Sequence, residues 1–321
     1  MIRREVHRDE ALAKGLWHAG ALNNGLIFGA TYYGCTWLPR WCSYALGYVS
    51  TWLAFHLLRD GTNALVDNFR SVRPADSERE LRQLALLTYR SYAFDTIDFI
   101  RSLAVPRDWF EPILAGHAER LEQVFARGRG VIIVGGHFGN WELGGIVLRL
   151  LSGRPISVVG RPEPSPVVGE FRRRMRETFG IESVEIGNML ETALRLRRLL
   201  ASNGIVAMLI DRHLGRDRIE VNFFGRPAFF SKSPALIASL SGAPMLPASM
   251  IRQPDGHFVG WFGDPVFVDA NARGEDGLRR ATQAIASQLE AQIRENPHLW
   301  YQFYRYWQAE VDEPRVTGSS G

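Results

Sequence analysis

The sequence predicts an α/β protein: a mostly parallel central sheet flanked by helices, with an N-terminal hydrophobic helical segment that anchors it to a membrane. Three observations lead there. From Val131 onward, short apolar runs alternate with helical stretches, the pattern of strand, helix and strand units. From Gly15 to Leu58 the only formally charged residue is Arg40. The chain has 321 residues, 46% hydrophobic and 22% charged, so it can bury a large core and is neither disordered nor collagen-like.

The uncharged stretch divides at Pro39-Arg40 into Gly20 to Leu38 and Trp41 to Leu58, each close to the ~20 residues that span a bilayer as a helix. Asn23, Asn24, Ser43, Ser50, Thr51 and His56 interrupt it. An interfacial or re-entrant anchor is therefore as open as a full span, and two helices buried in a soluble core are the third reading. Met1 to Lys14 mixes both charge signs and no small-residue cleavage site follows, so it does not read as a removed signal peptide. The chain divides into a membrane-associating segment over 1–58, an α/β domain over 59–311 and a polar tail over 312–321.

A helix is expected after Pro74, starting at Asp76-Ser77-Glu78 and repeating apolar residues at Leu81, Leu84, Leu87 and Ile97. Strands are expected over Val131 to Val134, Ile156 to Val159, Ser183 to Ile186, Ile205 to Ile210 and Glu220 to Phe224, then around Leu246 to Ile251 and Phe258 to Phe267. Helices are expected over Trp141 to Leu151, Val167 to Phe179, Met189 to Ala201, Pro234 to Leu240 and Leu278 to Glu295. Ser233 before Pro234 reads as an N-cap, and Asn296-Pro297 stops the last helix.

Lys14 and Lys232 are the only lysines, so arginine supplies 36 of the 38 basic residues against 34 acidic ones. Permanently charged, bidentate guanidinium suits anionic partners, and a GC-rich genome would give the same bias. No nucleic-acid reading motif is present. Cys35 and Cys42 are too few for a disulfide scaffold and lack zinc-site spacing. G-x-S-x-G, H-E-x-x-H, the P-loop and G-x-G-x-x-G are all absent from the sequence.

The richest segment runs from Val131 through Gly135-Gly136 to His137-Phe-Gly-Asn140-Trp-Glu142. His137 falls just past a strand end, Asn140 can cap the next helix, and Glu142 then stands in its first turn. At this junction Glu142 can accept from one ring nitrogen of His137, leaving the other to take a proton from a substrate hydroxyl. Two further strands lead to Arg161 and to Asp211, and ligands of open α/β sheets bind outside the carboxyl ends of the strands. Arg161 suits a phosphate or a developing oxyanion, and Asp211 suits orienting Arg161 or meeting the acceptor.

Gly-Gly-His137-Phe-Gly-Asn-Trp-Glu142 resembles the H-x4-D/E motif of the glycerolipid acyltransferase superfamily, in the Glu form of the bacterial lipid A late acyltransferases. Arg161-Pro162, then Asp211-Arg212 with Val221-Asn-Phe-Phe-Gly225-Arg-Pro227-Ala, then Gly242-Ala-Pro244-Met-Leu-Pro247 are similar to its later blocks, and Asn296-Pro-His-Leu-Trp300-Tyr to its ending. The resemblance implies transfer of a fatty acyl group from acyl carrier protein or coenzyme A to a hydroxyl of a membrane glycolipid, foremost a lipid A precursor. It implies His137 as base and Glu142 as its partner, with Arg161, Asp211, Asn140, Arg212 and Gly225 toward the substrates. It also implies a place at the cytoplasmic face of the inner (plasma) membrane and neither metal nor bound cofactor. Enzymes that acylate phosphatidylinositol mannosides or other lysolipids share these blocks. A non-catalytic lipid-binding protein and a thioesterase are the readings of another class. Arg172-Arg173-Arg174 with Arg176 is a run that docks acyl carrier protein or lipid headgroups, or else a solvated helix face, and Phe223, Phe224, Phe229 and Phe230 are an acyl channel or core.

Overall fold

The computed structural model describes residues 32–35, 37–102, 118–160, 163, 165–185, 189–213, 215, 217–268 and 274–307. Of the expected helix over Gly20 to Leu38 only 32–35, 37 and 38 are described, with 32–35 helical, and the tail over 312–321 lies outside the described residues.

Among the described residues, α1 (Arg40–Leu57), α2 (Arg59–Val72) and α3 (Glu78–Arg101) precede the sheet. Pro39 precedes α1 and cannot continue a helix from before it. Ser77 starts α3 through a capping box: Glu80 Oε2 accepts from the Ser77 N–H at 2.7 Å, and the Ser77 hydroxyl accepts from the Glu80 N–H. α1 and α3 pack together at Gly47, where a Cβ would lie 3.1 Å from Ile97. Arg252 pairs with Asp95 at 3.3 Å and with Asp98, the Tyr44 hydroxyl donates to Asp98, and Arg40 reaches Asp98 at 3.2 Å. This network, buried except at Arg40, ties α1 to the body of the protein.

The chain continues as α4 (Ala118–Phe125), β1 (Val131–Gly135), α5 (Trp141–Ser152), β2 (Ile156–Gly160), α6 (Pro166–Thr178), β3 (Ile181–Glu185), α7 (Met189–Ala201) and β4 (Ile205–Leu209). Then come β5 (Ile219–Phe223), β6 (Arg226–Phe230), α8 (Ser233–Ser241), β7 (Met245–Arg252), β8 (Phe258–Phe262) and α9 (Glu275–Glu295). Six strands form one sheet in the order β3-β2-β4-β1-β7-β8, parallel except for β8 against β7. β1 at its centre is buried along Val131 to Val134, as a strand covered on both faces must be.

Several expectations shift. β3 begins two residues earlier than Ser183, and Lys232 rather than Ser233 occupies the N-cap of α8, with no side-chain cap bond. β6 was not expected: it closes a hairpin on β5 through Phe224-Gly225, both at positive φ (54° and 74°), the backbone a two-residue hairpin turn demands. Phe223 and Phe230 are wholly buried and Phe224 nearly so; Phe223 packs on Phe230, Trp300, Tyr306 and Trp307, and Phe224 on Trp300 and Trp307. Those three phenylalanines are core, which answers the acyl-channel alternative for them.

Candidate active site

Two neighbouring parallel strands deliver the two principal groups. β1 and β4 pair with Gly135 opposite Leu209, and the Ile210 N–H donates to the Gly135 carbonyl at 2.9 Å. His137 stands two residues beyond Gly135 and Asp211 two beyond Leu209. The register therefore sets them side by side at the carboxyl edge of the sheet, where α/β proteins hold ligands. His137 Nδ1 lies 2.7 Å from Asp211 Oδ1, and the His137 backbone N–H donates to Asp211 Oδ2 at 2.9 Å.

The loop carrying His137 is clamped on both sides. Tyr301 N–H donates to the His137 carbonyl at 2.8 Å, Gly139 N–H to the Leu299 carbonyl at 2.9 Å, and Asn140 N–H to the Met250 carbonyl at 2.9 Å. Gly139 has φ +63°, and a Cβ there would collide with the Met250 carbonyl oxygen, so only glycine fits.

Asp211 is fully buried. Burial alone would raise its carboxyl, but the charge and hydrogen bonds of His137 and the Arg212 guanidinium bring it down to about 2. Burial and the cations Arg212 and Arg172 hold His137 below its ordinary value against the pull of Asp211. An ionised carboxylate only accepts, so Nδ1 carries the proton and Nε2 keeps its lone pair. The ring is 20% exposed and can serve as a general base at neutral pH.

The expected bond between His137 and Glu142 is replaced. Glu142 does stand in the first turn of α5, behind the Asn140 cap, but it turns toward α6. There Arg176 grips it in a fork, Nη2 at 2.6 Å and Nε at 3.0 Å, and Arg172 adds a contact at 3.3 Å. Burial would raise the Glu142 carboxyl, yet these guanidinium groups keep it below the usual carboxylate range. The physical reason is geometric: the cap fixes the direction of the helix, and Nδ1 is already taken by a carboxylate from the adjacent strand. Removing one partner of a buried ion pair leaves the other charge uncompensated. Glu142→Gln is expected to lower stability by about 3 kcal/mol while leaving the His137–Asp211 contact in place, as a thermal melt beside an activity assay on the folded variant will show.

A profile described as "Bacterial lipid A biosynthesis acyltransferase" matches residues 24–309. The chain belongs to this family. Its relatives include phosphatidylinositol mannoside acyltransferases from two mycobacteria. That of Mycobacterium tuberculosis is 27% identical over 201 residues, 62% of this chain and 61% of the relative. That of Mycolicibacterium smegmatis is 27% identical over 189 residues, 59% of this chain and 60% of the relative. The match thus spans about three-fifths of the length of these relatives.

The remaining residues of the lipid A acyltransferase motifs fall into different places. Asn140 is buried and committed to the fold: Oδ1 accepts from the Leu143 N–H at 3.1 Å, and Nδ2 donates to the Asp95 carbonyl at 2.9 Å. Arg212 stands beside the dyad, pinned by the Tyr301 carbonyl at 2.8 Å and Gln302 Oε1 at 3.0 Å. Gly225 sits in the β5–β6 turn and lines an open groove with Asn222, Pro227, Arg279, Arg280 and Gln283. Arg161 lies outside the described residues. Of the arginine run on α6, Arg172 and Arg176 face inward onto Glu142, while Arg173 and Arg174 pair with Glu170. Arg173 and Arg174 stay on the solvent-exposed face of α6. Among the described residues no group of three or more His, Cys, Asp or Glu side chains is placed to hold a metal ion.

Sequence reasoning missed Gln302 and the role of Trp300. Both are wholly buried, and both donate to Asp211 Oδ2, Trp300 Nε1 at 3.1 Å and Gln302 Nε2 at 2.7 Å. The available signal was a dense aromatic segment following the Asn296-Pro297 helix stop.

Proposed function

We propose that this protein transfers a fatty acyl group from an acyl thioester, on acyl carrier protein or coenzyme A, to a hydroxyl of a membrane glycolipid. The observation that carries the reading is the His137–Asp211 pair at the carboxyl edge of the sheet, with Nδ1 engaged and Nε2 left to act. His137 Nε2 takes the hydroxyl proton as the oxygen attacks the thioester carbonyl, and Asp211 stabilises the imidazolium. The tetrahedral intermediate then expels the thiolate, which leaves as a thiol with the proton returned from Nε2.

The names of the mycobacterial relatives favour a mannosylated inositol phospholipid as acceptor, and the family description makes a lipid A precursor the second reading. Offering both acceptors with both thioesters, and reading intact lipids by mass spectrometry, tests the choice. Acyl mass gained by one acceptor names it. Free fatty acid without acylated lipid would point to a thioesterase, and an intact thioester beside bound lipid to a binding protein.

We further propose that it works at the cytoplasmic face of the inner (plasma) membrane, held by α1. Among the described residues no helix is long and apolar enough to cross a membrane. However, α1 exposes Trp41, Leu46, Tyr48, Val49, Trp52, Leu53 and Leu57, and Trp37 just before it is 84% exposed. An exposed apolar face with tryptophans suits an interfacial helix lying in the headgroup region. The double substitution Trp41→Ser with Trp52→Ser is expected to abolish most co-flotation with anionic phospholipid vesicles; unchanged flotation would contradict the assignment.

A further inference from the structure

We infer that Gln302, together with Trp300, is a positioning residue of the reaction: the two hold Asp211 so that a single carboxylate oxygen is left to receive the His137 ring. The inference rests on the base assignment above and deepens it.

The geometry of the carboxylate is the argument. Three donors converge on Asp211 Oδ2: the His137 backbone N–H at 2.9 Å, Trp300 Nε1 at 3.1 Å and Gln302 Nε2 at 2.7 Å. Only Oδ1 remains for Nδ1 of the ring, at 2.7 Å. Gln302 has a second task, because its Oε1 accepts from Arg212 Nε at 3.0 Å. One amide thus fixes both the carboxylate that supports His137 and the cation that bears on it. Its orientation follows from its neighbours: a carboxylate requires the NH2 end and a guanidinium the oxygen end.

The segment is itself rigidly held. Asn68 Nδ2 donates to the Gln302 carbonyl at 3.0 Å and to the Tyr304 carbonyl at 2.7 Å, and the Tyr306 N–H returns to Asn68 Oδ1 at 2.9 Å. Tyr301 donates its hydroxyl to Asp95 at 2.6 Å. The charged groups bearing on the pair are Arg212, next to Asp211, and Arg172 of α6. Asp95 is engaged with Tyr301 and Arg252.

Donors to a carboxylate stabilise its anion and weaken its hold on the imidazolium. Gln302→Met keeps much of the side-chain length and removes both polar ends. It is expected to raise the His137 pKa, to shift the acid limb of kcat/KM to higher pH in the same direction, and to reduce kcat about tenfold to a hundredfold. Trp300→Phe, which removes the indole donor alone, is expected to shift pKa the same way. A residue that merely fills the core would lower the melting temperature and leave the pKa of the folded protein unchanged.

The test follows the His137 ring by NMR across pH in the full chain, wild type beside both variants, with turnover measured in parallel. The NMR arm does not depend on substrate: if no acceptor is turned over, an upward shift in the variants still supports the positioning role, and the transferase reading alone fails. An unmoved His137 pKa in folded Gln302→Met overturns the inference. Should neither variant fold, the wild-type Gln302 side-chain amide protons must shift in step with the titration of His137, and amide signals indifferent to it overturn the inference equally.

Discussion

Asp211→Asn is expected to cost roughly 10⁴-fold in kcat, the scale seen when a catalytic histidine is left in the wrong tautomer, or ~5 kcal/mol of barrier. The reason lies in the donors around the side chain. The His137 N–H, Trp300 Nε1 and Gln302 Nε2 all require an acceptor at Oδ2. The asparagine oxygen therefore takes that position and turns its NH2 toward the ring. Facing a donor, Nδ1 must give up its proton, which moves to Nε2. A ring protonated at Nε2 has no lone pair with which to accept a hydroxyl proton. The substitution is close to isosteric, so the fold should persist, and circular dichroism beside steady-state kinetics separates lost chemistry from lost structure. Retention of more than a tenth of the wild-type kcat would contradict the assignment of Asp211.

His137→Ala is expected to lower kcat by roughly 10² to 10⁴, or ~3 to 5 kcal/mol. On the proposed mechanism the neutral ring is the active form. Because burial and Arg212 keep the His137 pKa below its ordinary value, near 6.5, kcat/KM should fall only as pH drops through a point below that value and stay level above it. The sign follows from the role: a base is lost by protonation at low pH. A profile that declines above neutrality instead would assign the essential group to an acid.

The central strands were readable because each is a short apolar run bounded by turn residues, and Val131 to Val134 is the clearest. The His137 loop was readable too, since glycines after a strand leave few conformations open. The partner of His137 was not. Glu142 is five residues away in sequence and Asp211 is 74 residues away, and only the pairing of β1 with β4 brings the latter close. Strand order is a property of the assembled sheet, and neither strand's sequence names its neighbour. Asp211 could be flagged as a polar residue closing a strand, toward Arg161 or the acceptor, but not as the neighbour of the His137 ring. Trp300 and Gln302 were harder still, because a segment with no regular element acquires its contacts only when the core has formed around it. The His137–Glu142 bond is not formed for a local reason: the Asn140 cap that places Glu142 in the first turn also aims it at the arginines of α6.

The most direct measurement is acyl transfer by purified wild type and His137→Ala, both shown to be folded, with glycolipid acceptors and acyl thioesters and with intact lipids weighed by mass spectrometry. The wild type should add an acyl mass to a glycolipid acceptor and the variant should not within the same time. Equal acylated product from both proteins would contradict the account.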